Sequence, residues 1–255
     1  MRRSIFTRVY LFFAAIAFAL FILATTLLFG LAYALSFLIP IGKRRRESIM
    51  YSCMVLNARF VHLLLFVRVD GEGFETIRKL KTDSDARICL ISNHTSMLDI
   101  STIILGCYPM RVGFIAKKSL FSIPVFRLYL KVAHCVPIDI SSVRSNIEAI
   151  RRGVDSISAG MPMLIFPEGS RSKTGRIAPF KRGSFKMAER SGAVVVPIAL
   201  SGLRDYAENR RRLFVRERGR AVVLDSVGFS GLRQDEADAA AKDIEERIRA
   251  AAGDK

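Results

Sequence analysis

The residues best suited to chemistry are a histidine and an aspartate five positions apart. Asn93-His94-Thr95-Ser96-Met97-Leu98-Asp99 follows directly on an apolar run, residues 88–91, of the kind that forms a buried strand. A histidine at the end of such a strand sits on a sheet edge, where loops collect functional groups. On a continuous helix of 3.6 residues per turn, positions 94 and 99 would lie about 140° apart and would not meet. If the chain turns after His94 and a helix opens at Ser96, Asp99 falls in the first helical turn and can point back at the imidazole. The carboxylate then fixes one tautomer, stabilises the imidazolium and leaves the other ring nitrogen to take a proton. Ser96-Met97-Leu98-Asp99 also has the form of a capping box with Ser96 as N-cap. Spacing alone does not choose between the two roles.

A second block, Phe166-Pro167-Glu168-Gly169-Ser170-Arg171-Ser172, follows an apolar run at 163–166. Pro167 and Gly169 force a turn. Beyond it Ser170, Arg171, Ser172 and Lys173 offer hydroxyls, amides and two cations, a set suited to gripping a phosphate, with Arg171 able to hold two oxygens at once. Phe180-Lys181-Arg182-Gly183-Ser184 adds another basic turn. Either turn alone reads equally well as a solvated loop of a basic protein.

Taken together and in this order, the motifs resemble the glycerolipid acyltransferase family of the lysophospholipid acyltransferase superfamily, the 1-acylglycerol-3-phosphate type. His94 and Asp99 match its His-x4-Asp pair, Phe166 to Ser172 its Phe-Pro-Glu-Gly-Thr/Ser-Arg-Ser block, and Phe180-Lys181-Arg182-Gly183 its Phe-Lys-x-Gly element. Val196-Pro197-Ile198 matches a late Val-Pro-Val/Ile strand, and Phe114 to Leu120 with Pro124 an intervening Lys-x-Glu-Leu…Pro segment. The likeness covers roughly residues 85–205. Ser119 stands where the family usually has glutamate, and Arg127 where it often has glycine. Ile140 stands where an arginine thought to hold the acceptor phosphate is usual. Arg144 or Arg127 would have to substitute, or the acceptor is another lyso-lipid, such as a lyso-ornithine lipid.

The resemblance implies direct acyl transfer with no covalent acyl-enzyme and no cofactor, and no residue cluster in the sequence requires a metal. His94 is the expected general base and Asp99 its orienting partner. Lys117, Glu168, Gly169, Ser170, Arg171 and Lys181 are the expected substrate-binding residues. Glu168 and Arg171 would shape the acceptor site, Lys181 would touch phosphate, and amides near Gly169 or the Lys117 ammonium would serve the oxyanion. The implied partners are an acyl-CoA or acyl carrier protein donor, a lysophospholipid acceptor and the membrane.

The rest of the chain must position these groups. Residues 9–42 carry no charge, far too long a run for a signal-peptide core of about 7–15 residues and more than the roughly 20 needed to span a bilayer. Arg2, Arg3 and Arg8 precede it, and Lys43, Arg44, Arg45 and Arg46 follow. Positive charge at both ends fits a helical hairpin with both ends on the cytoplasmic face better than a single span, with Gly30 and Pro40 as candidate breaks. In a bacterium that face belongs to the inner membrane. Residues 48–66 read as a mostly apolar helix in which His62 is structural. Beyond them, apolar runs at 67–70, 87–92, 111–116, 135–140, 163–166, 193–200 and 221–227 read as strands. Helical patterns at 96–105, 119–130, 142–159, 184–190 and 234–252 separate them. In the 142–159 helix, Val143, Ile147, Ile150, Val154 and Ile157 form an apolar stripe.

The expected architecture is therefore α/β, a mixed sheet flanked by helices. Residues 1–66 are read as the anchor and amphipathic helix, and residues 67–255 as the catalytic domain. Forty Lys and Arg against 23 Asp and Glu give a formal charge of +17, which calls for a negative partner surface. No nucleic-acid module is present in the pattern, so an anionic membrane is the expected partner. Cys53, Cys89, Cys107 and Cys135 form no Cys-x-x-Cys pair and read as buried thiols. A lipid hydrolase lacks its Gly-x-Ser-x-Gly elbow. A non-catalytic lipid-binding protein would explain charge and anchor but not the ordered motifs.

Overall fold

The computed structural model describes residues 5–84, 86–207 and 218–254; Arg2 and Arg3 lie outside them. The uncharged N-terminal run does not fold back at Gly30. Ile5–Leu35 form one helix, α1, because a single glycine costs a helix only about 1 kcal/mol. The chain turns instead through Ser36–Leu38 and Pro40, and Lys43–Leu64 (α2) run back along α1. Phe21 stacks on Phe60, Tyr10 donates to the Leu64 carbonyl, and Arg46 lies over the Phe37 ring at the turn. The hairpin expected within residues 9–42 is thus formed between that run and the next helix. A membrane-length apolar stretch, Phe12–Leu38, is only 6% buried.

The remaining elements alternate. They are β1 (Val69–Glu72), α3 (Phe74–Ser84), β2 (Ile88–Ser92), α4 (Asp99–Cys107), β3 (Gly113–Lys117), α5 (Pro124–Val132), β4 (Val136–Ile138), α6 (Val143–Ser158) and β5 (Met163–Ile165). Then follow α7 (Lys186–Ser191), β6 (Val194–Ser201), α8 (Arg204–Ala207), β7 (Gly219–Val223), β8 (Val227–Gly228) and α9 (Gln234–Ala252). The strands form one mixed sheet in the order β1-β7-β6-β2-β5-β3-β4, with β8 paired to β6. All pairs are parallel except β6 with β7 and β6 with β8. This is the mixed α/β sheet flanked by helices that the pattern predicted.

Strand β2 sits at the centre. Its side chains alternate between two buried faces, as a strand covered on both sides requires. Leu90 joins Met50, Ile77, Ile103 and Leu130 under α2–α5, and Ile91 joins Ala149, Ile157, Met187 and Ile248 under α6, α7 and α9. Helix α2 therefore contributes directly to the core of the body. A buried polar network ties α1 to it: Thr25 donates to the Asn57 carboxamide, whose amide donates to the Tyr129 hydroxyl, which bonds Thr26 at 2.6 Å.

Two readings change. Helix α3 was not marked from the sequence, although Phe74 and Ile77, its buried pair, recur with Leu80 at three-residue spacing; the charges between them masked the stripe. The strand expected over 221–227 is two strands, because the chain leaves β6 after β7 and returns to it as β8. All four cysteines are buried and free, and burial pushes the Cys89 and Cys107 thiols up to about 12.

Candidate active site

Strands β2 and β5 run side by side in parallel, Ile91 opposite Ile165. Their following residues therefore emerge at one carboxyl edge, which is where sites form in open α/β sheets. His94 leaves β2 and Glu168 leaves β5. The two meet although 74 residues separate them: the His94 N–H donates to Glu168 Oε1 at 2.5 Å, and Oε2 accepts the Ala178 N–H at 2.8 Å. Glu168 is buried, and burial raises its carboxyl against the pull of those two amides.

The turn after His94 does what the spacing allowed. Asp99, at the start of α4, lies fully buried with Oδ2 2.9 Å from His94 Nδ1. The same oxygen accepts the N–H of Thr95 at 2.7 Å and of Ser96 at 2.8 Å, while the Leu98 N–H donates to Ser96 Oγ. The carboxylate thus orients the histidine and ties down the turn, but the capping box with Ser96 as N-cap does not form: α4 opens at Asp99, with Leu98 at the N-cap and no side-chain cap. Its Oδ1 is buried with no hydrogen bond among the described residues, and burial raises the carboxyl despite the opposing pull of His94 and the two amides. An oxygen already accepting two N–H groups meets Nδ1 as an acceptor too, so Nδ1 carries a proton and Nε2 holds the free lone pair. Among the described residues no protein group is hydrogen-bonded to Nε2, and no serine or cysteine is hydrogen-bonded to the ring. Phe166 stacks on the imidazole at 4.0 Å between centroids, which fixes the plane in which Nε2 points.

Three supports were not read from the sequence. Asn93 clamps β2 to β6, its amide donating to the Leu200 carbonyl and its oxygen accepting the Leu200 N–H. The Ser172 N–H donates to the His94 carbonyl at 2.9 Å, which brings the glycine turn, and Arg171 with it, back beside the histidine. Ser101 donates to the Leu98 carbonyl and accepts from His62 Nε2 at 2.9 Å, bracing the start of α4. Burial drives His62 down to about 4, in keeping with its structural reading. Asn93 could have been suspected as a polar residue closing an apolar run; the partners of the other two depend on distant segments.

The expected binding residues are spread along the same edge. Gly169 takes φ +77°, a conformation that favours glycine, and a side chain there would meet Lys181, whose ammonium lies 2.6 Å from the Cβ position. The Gly169 amide itself is committed to the Phe166 carbonyl within the turn. Ser170, Arg171 and Lys181 are exposed. Lys117 ends β3, two strands from β2, or about 10 Å across the sheet. Ile140, Arg127 and Arg144 are exposed beyond β4, on α5 and on α6.

Fold and dyad together describe an α/β protein that carries a hydrogen-bonded histidine–aspartate pair at the carboxyl edge of its sheet. The family model described as Acyltransferase matches residues 68–201, and the chain belongs to that family. It is 37% identical over 138 residues to the chloroplastic 1-acyl-sn-glycerol-3-phosphate acyltransferase BAT2 of Brassica napus, covering 54% of this chain and 38% of that protein. It is 31% identical over 163 residues to the putative 1-acyl-sn-glycerol-3-phosphate acyltransferase acl-2 of Caenorhabditis elegans, covering 61% and 56%. The chain thus spans less than two thirds of the length of these relatives. The crystal structure of the 1-acyl-sn-glycerophosphate acyltransferase PlsC of Thermotoga maritima superposes with a TM-score of 0.75 at 23% identity, over 98% of this chain and 95% of that one. It shares the fold.

Proposed function

We propose that the protein is an O-acyltransferase that moves a fatty acyl group from a thioester, acyl-CoA or acyl carrier protein, to the free hydroxyl of 1-acyl-sn-glycerol 3-phosphate, giving phosphatidic acid. The observation that carries the proposal is the single Asp99 oxygen shared by His94 Nδ1 and two backbone amides, which leaves Nε2 as a free base. The named activity of the relatives supports it. His94 Nε2 takes the hydroxyl proton as the oxygen attacks the thioester carbonyl. The tetrahedral oxyanion collapses, the carbon–sulfur bond breaks, and the thiolate takes the proton back from the imidazolium. Asp99 stabilises that imidazolium. General-base action is worth about 10²–10⁴-fold; holding both substrates in line supplies the larger share. Lys117 is assigned to the oxyanion or donor phosphates. Ser170, Arg171 and Lys181 are assigned to the acceptor phosphate, with Gly169 giving the turn its shape. Glu168 acts from behind, through the His94 backbone.

A second acceptor, lyso-ornithine lipid, is favoured by Ile140 alone. Ile140→Arg would then raise kcat/KM for lysophosphatidic acid relative to it.

Residues 1–66 are assigned to membrane attachment and residues 67–255 to catalysis, with α2 packed against both. Thr26, near the middle of the apolar stretch Phe12–Leu38, is bonded to Tyr129 of α5. A helix crossing the bilayer would carry α5, with exposed Arg127 and Lys131, to mid-depth, where such charges are costly. We therefore assign α1 to one leaflet of the cytoplasmic face, sunk into it without crossing to the other side.

The decisive assay is transfer from acyl-CoA and from acyl carrier protein to a panel of lyso-lipids, with wild type and His94→Ala. Lysophosphatidic acid consumption that vanishes in folded His94→Ala is the expected result; equal turnover by that variant overturns the mechanism.

A further inference from the structure

The apolar stripe of α6 does not stop where the body stops. Ile157 is fully buried and Ile150 and Val154 are half-covered, but Ile147 is 59% exposed and Val143 75%. Ile140, just before the helix, is exposed as well. A helix that needed this stripe only for packing would turn polar where it leaves the core. The uncovered half lies at the carboxyl end of β4, the same edge of the sheet that carries His94.

A second uncovered group lies beside it. Ile123 and Phe126, at the start of α5, are exposed. The segment Lys118–Ser122 that precedes them packs on both β3 and β4. Lys118 is near enough to Asp139 to help lower that carboxyl, after the Ser141 hydrogen bonds. The two groups therefore flank the edge strand β4, α5 packing on one face of the sheet and α6 on the other. The charge around them is one-sided: residues 117–147 contain Lys117, Lys118, Arg127, Lys131 and Arg144 against Asp139 alone. Helix α5 is also bonded to α1 through Tyr129 and Thr26, so the patch continues from the helix assigned above to the membrane.

We propose that Ile123, Phe126, Ile140, Val143 and Ile147 form a second membrane-docking surface. It inserts into an anionic lipid surface and seats the His94 edge where a lyso-lipid is presented. Apolar side chains enter the acyl boundary while the flanking cations meet the head groups. The inference rests on the membrane reading above, but its tests separate from that of acyl transfer. Continuity with α1 favours lipid over an acidic carrier protein as the occupant.

The first experiment uses the full chain with an environment-sensitive fluorophore on Val143→Cys, Ile147→Cys or Asp155→Cys, the native cysteines being buried. Vesicles of phosphatidylcholine, alone or mixed with phosphatidylglycerol, carry a shallow spin-label quencher. Blue shift and quenching at 143 and 147 but not at exposed 155, stronger with phosphatidylglycerol, is the expected result. No quenching at 143 or 147 in protein that floats with the vesicles overturns the proposal. So does a response to an acidic carrier protein and not to vesicles.

The second experiment uses Val143→Asp with Ile147→Asp. It should lower kcat/KM at least about tenfold for a long-chain acceptor in vesicles, given what burial of one apolar side chain contributes. It should leave a short-chain monomeric acceptor unaffected, which also reports an intact fold. An equal loss on both acceptors refutes docking. If wild type transfers to neither acceptor, the acyltransferase reading fails while the quenching result still decides the surface.

Discussion

Glu168→Gln separates two roles for the carboxylate in the most family-like turn. In the structure its two oxygens accept two backbone N–H groups, those of His94 and Ala178, from opposite sides in a buried position. A glutamine keeps the shape but presents one oxygen and one NH2. Whichever way it turns, one of the two N–H groups then faces another donor. Leaving one buried polar group unsatisfied costs about 1–3 kcal/mol. At roughly 2–4 °C per kcal/mol for a chain of this size, the melting temperature should fall by about 2–12 °C. If the amide turns against His94, the histidine backbone is released and the imidazole loses its register with Asp99. A displacement near 1 Å costs about 10²-fold in rate, so kcat should drop by about 10- to 100-fold with little change in KM for the lyso-lipid. Glu168→Asp, one methylene shorter, cannot reach both amides and should behave alike. The assays are thermal unfolding in detergent and steady-state transfer with the acceptor varied. A Glu168→Gln enzyme with wild-type melting and kcat but a raised acceptor KM would mean that Glu168 touches substrate, and the positioning argument would be wrong.

Asp99→Asn should reduce kcat by about 10³- to 10⁴-fold, since an amide neither enforces the Nδ1–H tautomer nor stabilises the imidazolium; near-normal turnover would leave Asp99 only its hold on the Thr95 and Ser96 amides. Arg171→Ala should cost about 10- to 150-fold in kcat/KM for lysophosphatidic acid, from a charge-assisted bond of about 1.5–3 kcal/mol, with partial recovery in Arg171→Lys because an ammonium lacks the planar fork. Unchanged values on every lyso-lipid would remove Arg171 from the phosphate site. His62, held near 4 by burial against an ordinary 6.5, stays neutral in the fold while the unfolded chain takes up its proton. Stability should therefore fall as pH drops from about 6.5 to about 4, by up to roughly 3 kcal/mol. His62→Gln should flatten that slope, and denaturant titrations across the window that give the same slope for both proteins would refute it.

The sequence by itself determined what is local. An apolar run followed by Asn93-His94 marks a strand end, and five residues suffice for the chain to turn and bring Asp99 within reach of the imidazole, although Glu168, Ser172 and Phe166 from β5 and its turn then hold the histidine in place. Pro167 and Gly169 likewise dictate a turn wherever the strand before them lies, and the alternation of apolar runs with helical stripes fixed the α/β class. Tertiary structure decided which turns meet. Glu168 reads as an acceptor contact until β5 is placed parallel to β2, when its oxygens turn inward to backbone amides. The closure of the turn on the Phe166 carbonyl uses the Gly169 amide, a pairing that the types of residue do not reveal. The N-terminal run held no signal for its partner, since uniform apolarity has no preferred face. Thr25 can bond carbonyls of its own helix, and its long-range partner Asn57, like Tyr129 for Thr26, arrives from α2 or α5 only in the fold. Strand order is a long-range choice made by burial on both faces of β2, and no window of sequence contains it.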